Sequence, residues 1–216
     1  MQKTKPKKAG YEDDGVAMFE VSYKPERIGN YIINIYSGIE SPEQFTDAIQ
    51  VLEMADEQNG IVVNLQCPGG SLDAVDAFIH AMQKCEGHIH VVATGGCHSA
   101  ATLILLEADS YELSEGFSSL IHCGSLGAVG SFNEFNAQVK FNAAFMPKTL
   151  RRHYEGFLGE KELDELMEGR DIWLDGESFA TRYTARNEYF KAKNEEACDG
   201  AKEKKQRKKK VVAIDE

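Results

Sequence analysis

With 216 residues, 42% hydrophobic and 27% charged side chains, the chain is long enough to close one α/β core and has the balance of a soluble globular domain. A formal charge of −11 excludes a general nucleic-acid binder, and no apolar run approaches the length of a membrane span. The five cysteines, at 67, 85, 97, 123 and 198, form no C-x-x-C pair and are odd in number. That argues against a zinc knuckle or a closed disulfide framework and predicts a reducing, cytoplasmic setting.

Residues 1–15 carry no periodic apolar signal and read as a flexible N-terminal arm; Met1 to Lys8 is basic but leads into no signal-like apolar core. Val16 to Tyr23 and Tyr31 to Tyr36 predict two early strands. Ser41-Pro-Glu-Gln44 predicts a helix start, with Phe45, Ala48, Ile49, Leu52 and Ala55 on one face that ends by Asn59-Gly60. Ile61 to Leu65 is a strand, Gln66-Cys-Pro-Gly-Gly-Ser71 a glycine turn, and Leu72, Val75, Phe78, Ile79 and Met82 recur at helical spacing up to Cys85. The next unit repeats this order: a strand over His88 to Thr94, a tight turn at Gly95-Gly96, and an apolar helix opened by Ser99 and running to Leu106.

Tyr111 to Leu113 and Ser118 to His122 predict two short strands. Phe132 to Phe157 is amphipathic and helical, interrupted at Met146-Pro147, and Glu160 to Glu168 predicts another helix. Asp175-Gly-Glu-Ser begins one more, and from Asn187 the chain becomes charged and poorly patterned. Strands alternating with helices of these lengths indicate repeated βαβ units and a mainly parallel sheet in one domain over residues 16–186. Residues 187–216 read as a charged, largely disordered tail in which Lys202 to Lys210 holds seven Lys or Arg against one Glu. Nucleic acid or an acidic partner would be bound, if at all, through that tail.

Two glycine segments, Gly69-Gly70 and Gly95-Gly96, fall at the ends of neighbouring parallel strands and so face one crevice at the carboxyl edge of the sheet. Ser99 opens a helix there, where free backbone N–H groups and the dipole favour a developing oxyanion; by itself it reads as an N-cap. His122, at the end of an apolar strand, is the candidate base, and Asp171, before Ile172-Trp173-Leu174, the candidate carboxylate to orient it from a partly buried position. His98, on the helix beside Ser99, would point about 100° away from it. Cys97 faces elsewhere, and Asp164 and Asp175 look solvent-facing. The Gly-Gly backbone and the Ala100 N–H are the candidate oxyanion donors.

Pro68-Gly-Gly-Ser71, Gly95-Gly-Cys-His-Ser99-Ala, Ile121-His122 and Arg170-Asp-Ile-Trp-Leu-Asp-Gly-Glu-Ser-Phe-Ala180 together resemble the proteolytic subunit of the Clp protease family over residues 30–180. Gly70, Ser99, His122 and Asp171 follow one another at twenty-nine, twenty-three and forty-nine residues, close to the family's spacing. The resemblance implies a Ser99, His122, Asp171 triad with Gly70 and Ala100 in the oxyanion hole, on a crotonase-like α/β fold whose Phe132 to Phe157 helix protrudes as a handle. Arg170 matches a basic residue that the family uses between its rings. It further implies a serine endopeptidase with peptide or protein substrates, assembled as a heptameric ring or two stacked rings. No cofactor or metal is implied; ATP would enter only through a separate unfoldase partner. His98 stands where the family usually has a small residue and Ala100 where it has methionine. The family's Tyr-Gly-Leu ending is absent, and the basic tail is foreign to most members. These departures suggest a divergent, phage-encoded member, with phage capsid proteins as partners in capsid maturation. A crotonase-like acyl-CoA enzyme and a catalytically inactive ring or scaffold component are the alternatives.

Overall fold

The computed structural model describes residues 19–24, 30–125, 127 and 130–212, the side chains of 20, 23, 24 and 198–212 excepted, so the expected arm over 1–15 lies outside the described residues. Seven strands, β1 (Glu20–Lys24), β2 (Asn30–Ile35), β3 (Gly60–Cys67), β4 (His88–His98), β5 (Ser110–Leu113), β6 (Ser118–Ile121) and β7 (Ile172–Leu174), form one sheet. Its order is β1-β2-β3-β4-β6-β7, with β5 also paired to β4. The interior pairings are parallel and the outer ones, β1 with β2 and β6 with β7, antiparallel. This is a mixed, mostly parallel α/β sheet of the crotonase type.

The helices are α1 (Thr46–Met54), entered through a 3₁₀ turn at Pro42–Phe45, α2 (Leu72–Lys84), α3 (Ala100–Leu106), α4 (Phe132–His153), α5 (Glu160–Met167) and α6 (Gly176–Val212). In β3, Ile61, Val63, Leu65 and Cys67 are buried while Val62, Asn64 and Gln66 are less so, the period of two that one well-covered sheet face demands. Phe45 before α1 and Phe78 of α2 stack at 4.5 Å in the core. Across the more open face, the Asn64 side-chain amide donates to Asn34 Oδ1 at 2.8 Å.

β4 is long enough to serve two partners in succession. Its residues His90 to Ala93 pair with β5, and Gly96 to His98 pair with β6. The expected turn at Gly95-Gly96 is therefore absent: both residues continue the strand, because β3 and β6 take up the backbone groups on either side of this segment. Gly96 supplies space instead of a bend, since a Cβ there would lie 2.8 Å from the His98 ring.

Pro147 likewise fails to interrupt α4, which runs unbroken from Phe132 to His153. A proline removes one helix hydrogen bond. Here the helix is held at both ends: Ser131 and Glu134 form a capping box, Arg151 pairs with Glu160 and Asp164, and Thr149 and Leu150 are buried. The boundary expected at 186/187 falls inside α6. Arg186 donates to the Leu106 carbonyl and pairs with Glu107, and Lys193 pairs with Glu155, so this helix is tied to the body beyond that point. The side chains of the Lys202 to Lys210 run lie outside the described residues.

Phe179 near the start of α6 is fully buried against the rings of Tyr111, Phe117, Phe157 and Tyr183. Phe179→Ala is expected to cost about 3–5 kcal/mol. Urea titration would show this as a lowered midpoint with an unchanged slope.

Candidate active site

β4 ends at His98, and the chain turns into α3 at Ser99 with φ 55° and ψ −127°. Among the described residues Ser99 is the only non-glycine with positive φ. These are the angles of the first central residue of a type II′ turn, where glycine is the norm; holding a serine there stores about 1–3 kcal/mol. Neighbouring hydrogen bonds hold it. The Ser99 N–H donates to the Leu120 carbonyl of β6 at 2.7 Å, and the Ser99 carbonyl accepts from the Thr102 N–H at 3.0 Å. Buried Thr102 Oγ1 in turn donates to the Cys97 carbonyl at 3.0 Å and meets the buried Ser119 hydroxyl at 3.0 Å.

Ser99 makes no side-chain N-cap bond. Its Oγ instead lies 2.7 Å from Nε2 of His122, the residue that follows β6. With Nε2 accepting from the hydroxyl, the ring proton sits on Nδ1, where it needs an acceptor. The β6–β7 ladder pairs Ser119 with Leu174, Leu120 with Trp173 and Ile121 with Ile172 and ends there; His122 and Asp171 are the next residues beyond it in their two segments. No hydrogen bond joins them among the described residues. Asp171 is also exposed rather than partly buried: β7 is an edge strand, and Trp173 itself remains 62% exposed. Arg170 pairs with Glu165 at 3.1 Å and so does not engage Asp171. Asp164 is held by Arg151, and Asp175 accepts from the Ser178 N–H, which lowers its pKa.

His98 belongs to β4 rather than to a helix. It shares a face with Gly96, bonds Ser118 Oγ through Nε2 at 3.1 Å and sits edge-on to Trp173. Cys97 is fully buried, and burial pushes its thiol pKa up to about 12, leaving it protonated and unsuited to nucleophilic attack.

The Pro68-Gly-Gly segment after β3 packs against the Ser99 corner. Gly69 has φ 91° and packs so closely that a Cβ would fall 2.5 Å from the His98 carbonyl oxygen and 2.8 Å from Ser99 Cβ. Gly70, with φ 144°, forms a parallel bridge with Ile39: the Ile39 N–H donates to the Gly69 carbonyl at 2.9 Å and the Ser71 N–H to the Ile39 carbonyl at 2.7 Å. In such a bridge the N–H of Gly70 itself points away from Ile39, and it has no backbone partner among the described residues. The Ala100 N–H, at the first position of α3, is likewise unpaired with backbone. Sequence reasoning missed the Tyr36 to Ser41 loop that supplies Ile39. Gln44 fixes that loop, its Oε1 accepting from the Glu40 and Ser41 N–H groups and its Nε2 donating to the Gly38 carbonyl.

Ser99, Ala100, Gly70 and His122 open on one cavity of about 500 Å³, walled by Leu72, Leu103, Met146, Leu150 and Tyr154. The last three recur at four-residue intervals along and just beyond α4. That spacing is visible in the sequence, but which face lies over Ser99 is not. The arrangement sets a hydroxyl against an imidazole, beside two N–H groups with no backbone partner among the described residues and an apolar recess, a set of groups able to serve acyl transfer.

A family model described as Clp protease matches residues 27–183. No curated protein matches the chain.

Ser99→Gly and Ser99→Ala both remove the contact to His122, but only glycine relieves the backbone. The glycine variant is expected to be the more stable by about 1 kcal/mol, the reverse of the usual order. Chemical denaturation of the two variants side by side measures the difference.

Proposed function

Because this chain belongs to the Clp protease family, we propose that it is a serine endopeptidase working through Ser99, His122 and Asp171. The 2.7 Å contact between Ser99 Oγ and His122 Nε2, made by a serine in a strained corner, carries this reading. Ser99 Oγ attacks the peptide carbonyl while His122 Nε2 takes its proton, and the Gly70 and Ala100 N–H groups receive the negative oxygen. His122 then protonates the leaving amine, and the acyl-enzyme is hydrolysed by water with His122 again as base. Asp171 turns toward His122 Nδ1 as the imidazolium forms and stabilises its charge. The paired hydroxyl and imidazole favour this chemistry over a crotonase-like enolate mechanism, which needs no serine nucleophile.

The working form is a homo-oligomeric ring. On α4, Phe132, Phe135, Val139, Phe141 and Phe145 are exposed, and Phe141 and Phe145 stack on each other at 5.3 Å. Such an apolar stripe on a helix calls for a covering surface, which other subunits supply. No helix among the described residues is long and apolar enough to cross a membrane, and the site is cytoplasmic in this reading. Two settings suit it: proteolysis fed by an ATP-driven unfoldase, and phage capsid maturation. They differ in whether folded substrates are cut only when an ATPase is added.

Ser99→Ala or His122→Ala is expected to lower kcat for peptide hydrolysis by about 10⁴- to 10⁶-fold, and Asp171→Asn by less. Labelling of the wild type by a serine-directed phosphonate, absent in Ser99→Ala, accompanies this; hydrolysis that persists in a folded Ser99→Ala protein would refute the assignment. Light scattering should give a mass several times 24.0 kDa, reduced by the double change Phe141→Asp and Phe145→Asp. A wild-type monomer at micromolar concentration would exclude the ring.

A further inference from the structure

Tyr154 is 2% exposed, yet its hydroxyl has no hydrogen-bond partner among the described residues, and the residue forms part of the wall of the cavity at Ser99. The Tyr154 hydroxyl is not among the fully buried, unpartnered side-chain atoms, which among the described residues are Ser114 Oγ and Arg186 Nε, so a phenol packed over nearly all its surface keeps its polar tip within reach of water or a ligand. Burial raises the Tyr154 pKa, so the group is a neutral phenol, able both to donate and to accept, at any working pH. Of the other polar side chains around the cavity, Ser71 Oγ accepts from the Ala74 N–H, His98 bonds Ser118 and His122 bonds Ser99, while Ser125 and Cys123 also line it. Leu72, Leu103, Met146 and Leu150 form an apolar stretch of the wall beside Tyr154.

We propose that Tyr154 is a specificity-determining residue, selecting substrates whose side chain on the acyl side of the cleaved bond has an apolar stem and a hydrogen-bonding tip, with glutamine the best match. The methylenes of glutamine lie against the leucine and methionine walls, and its neutral amide meets the phenol O–H. A carboxylate or ammonium tip would be desolvated there without a counter-charge and is rejected. Norleucine, of similar length but without the amide, fills the recess and leaves the hydroxyl unmet.

This inference rests on the peptidase reading, and the test separates the two. Peptides with glutamine or norleucine at that position are compared by kcat/KM in the intact oligomer, with and without Tyr154→Phe. Peptides ending in glutamine or norleucine are compared by Kd in Ser99→Ala, again with and without Tyr154→Phe. The glutamine-to-norleucine preference should fall on the order of tenfold in both measurements when the hydroxyl is removed. Because that hydroxyl has no partner among the described residues, Tyr154→Phe should fold with an unlowered thermal midpoint, which circular dichroism checks. An unchanged preference, or no binding of either peptide, overturns the proposal. A preference that shifts in the binding series while no variant hydrolyses peptides supports the recess assignment and overturns the peptidase reading instead.

Discussion

The hydrogen bond from the Ser99 N–H to the Leu120 carbonyl does more than close a sheet edge. Leu120 lies two residues before His122, so this bond fixes the strained corner that carries the hydroxyl to the strand that carries the imidazole. The bond exists because β4 outruns β5. Its first half is spoken for by β5, and its last residues are free to pair with β6. Remove the second pairing and only the Thr102 contacts would be left to hold a serine at positive φ. The chain would relax into an ordinary helix start, with Oγ bonded to its own helix rather than to His122.

The oxyanion side depends on a second chain of contacts that does not involve β4. Gln44 pins the loop before α1, that loop presents Ile39, and Ile39 turns the N–H of Gly70 away from itself by taking both neighbouring backbone groups. Gly69 closes the two halves, since only a residue without Cβ fits between the His98 carbonyl and Ser99. The site is thus the meeting of two backbone assemblies, each satisfied internally except for the groups that face the cavity.

Much of this was legible in the residue pattern, and the misreadings have physical causes. Ser99 and His122 could be placed because each follows an apolar strand, and a parallel sheet brings strand ends together. Gly95-Gly96 misled because glycine marks turns on average, whereas here it clears room for the His98 ring. The turn fell on Ser99, whose residue type gives no warning of positive φ. Asp171 was expected to be partly buried by its apolar neighbours, but those neighbours form an edge strand whose tryptophan faces outward. Tyr154 was unreadable as a site residue because its role depends on how α4 lies over α3, which periodicity along one helix does not encode.

The continuity of α4 through Pro147 carries a consequence of its own. Its exposed phenylalanines and the wall residues Met146 and Leu150 belong to one continuous helix, capped on itself at its start and packed on the body near its last turns. Were the helix broken at the proline, contact at the far end would be absorbed by a hinge. As it is, the helix acts as a lever: what settles against Phe132 to Phe145 leans on the recess beside Ser99, and what fills the recess leans back. Linkage is reciprocal by thermodynamic necessity, so whatever factor a neighbour along the helix imposes on a guest in the cavity, the guest imposes on the neighbour.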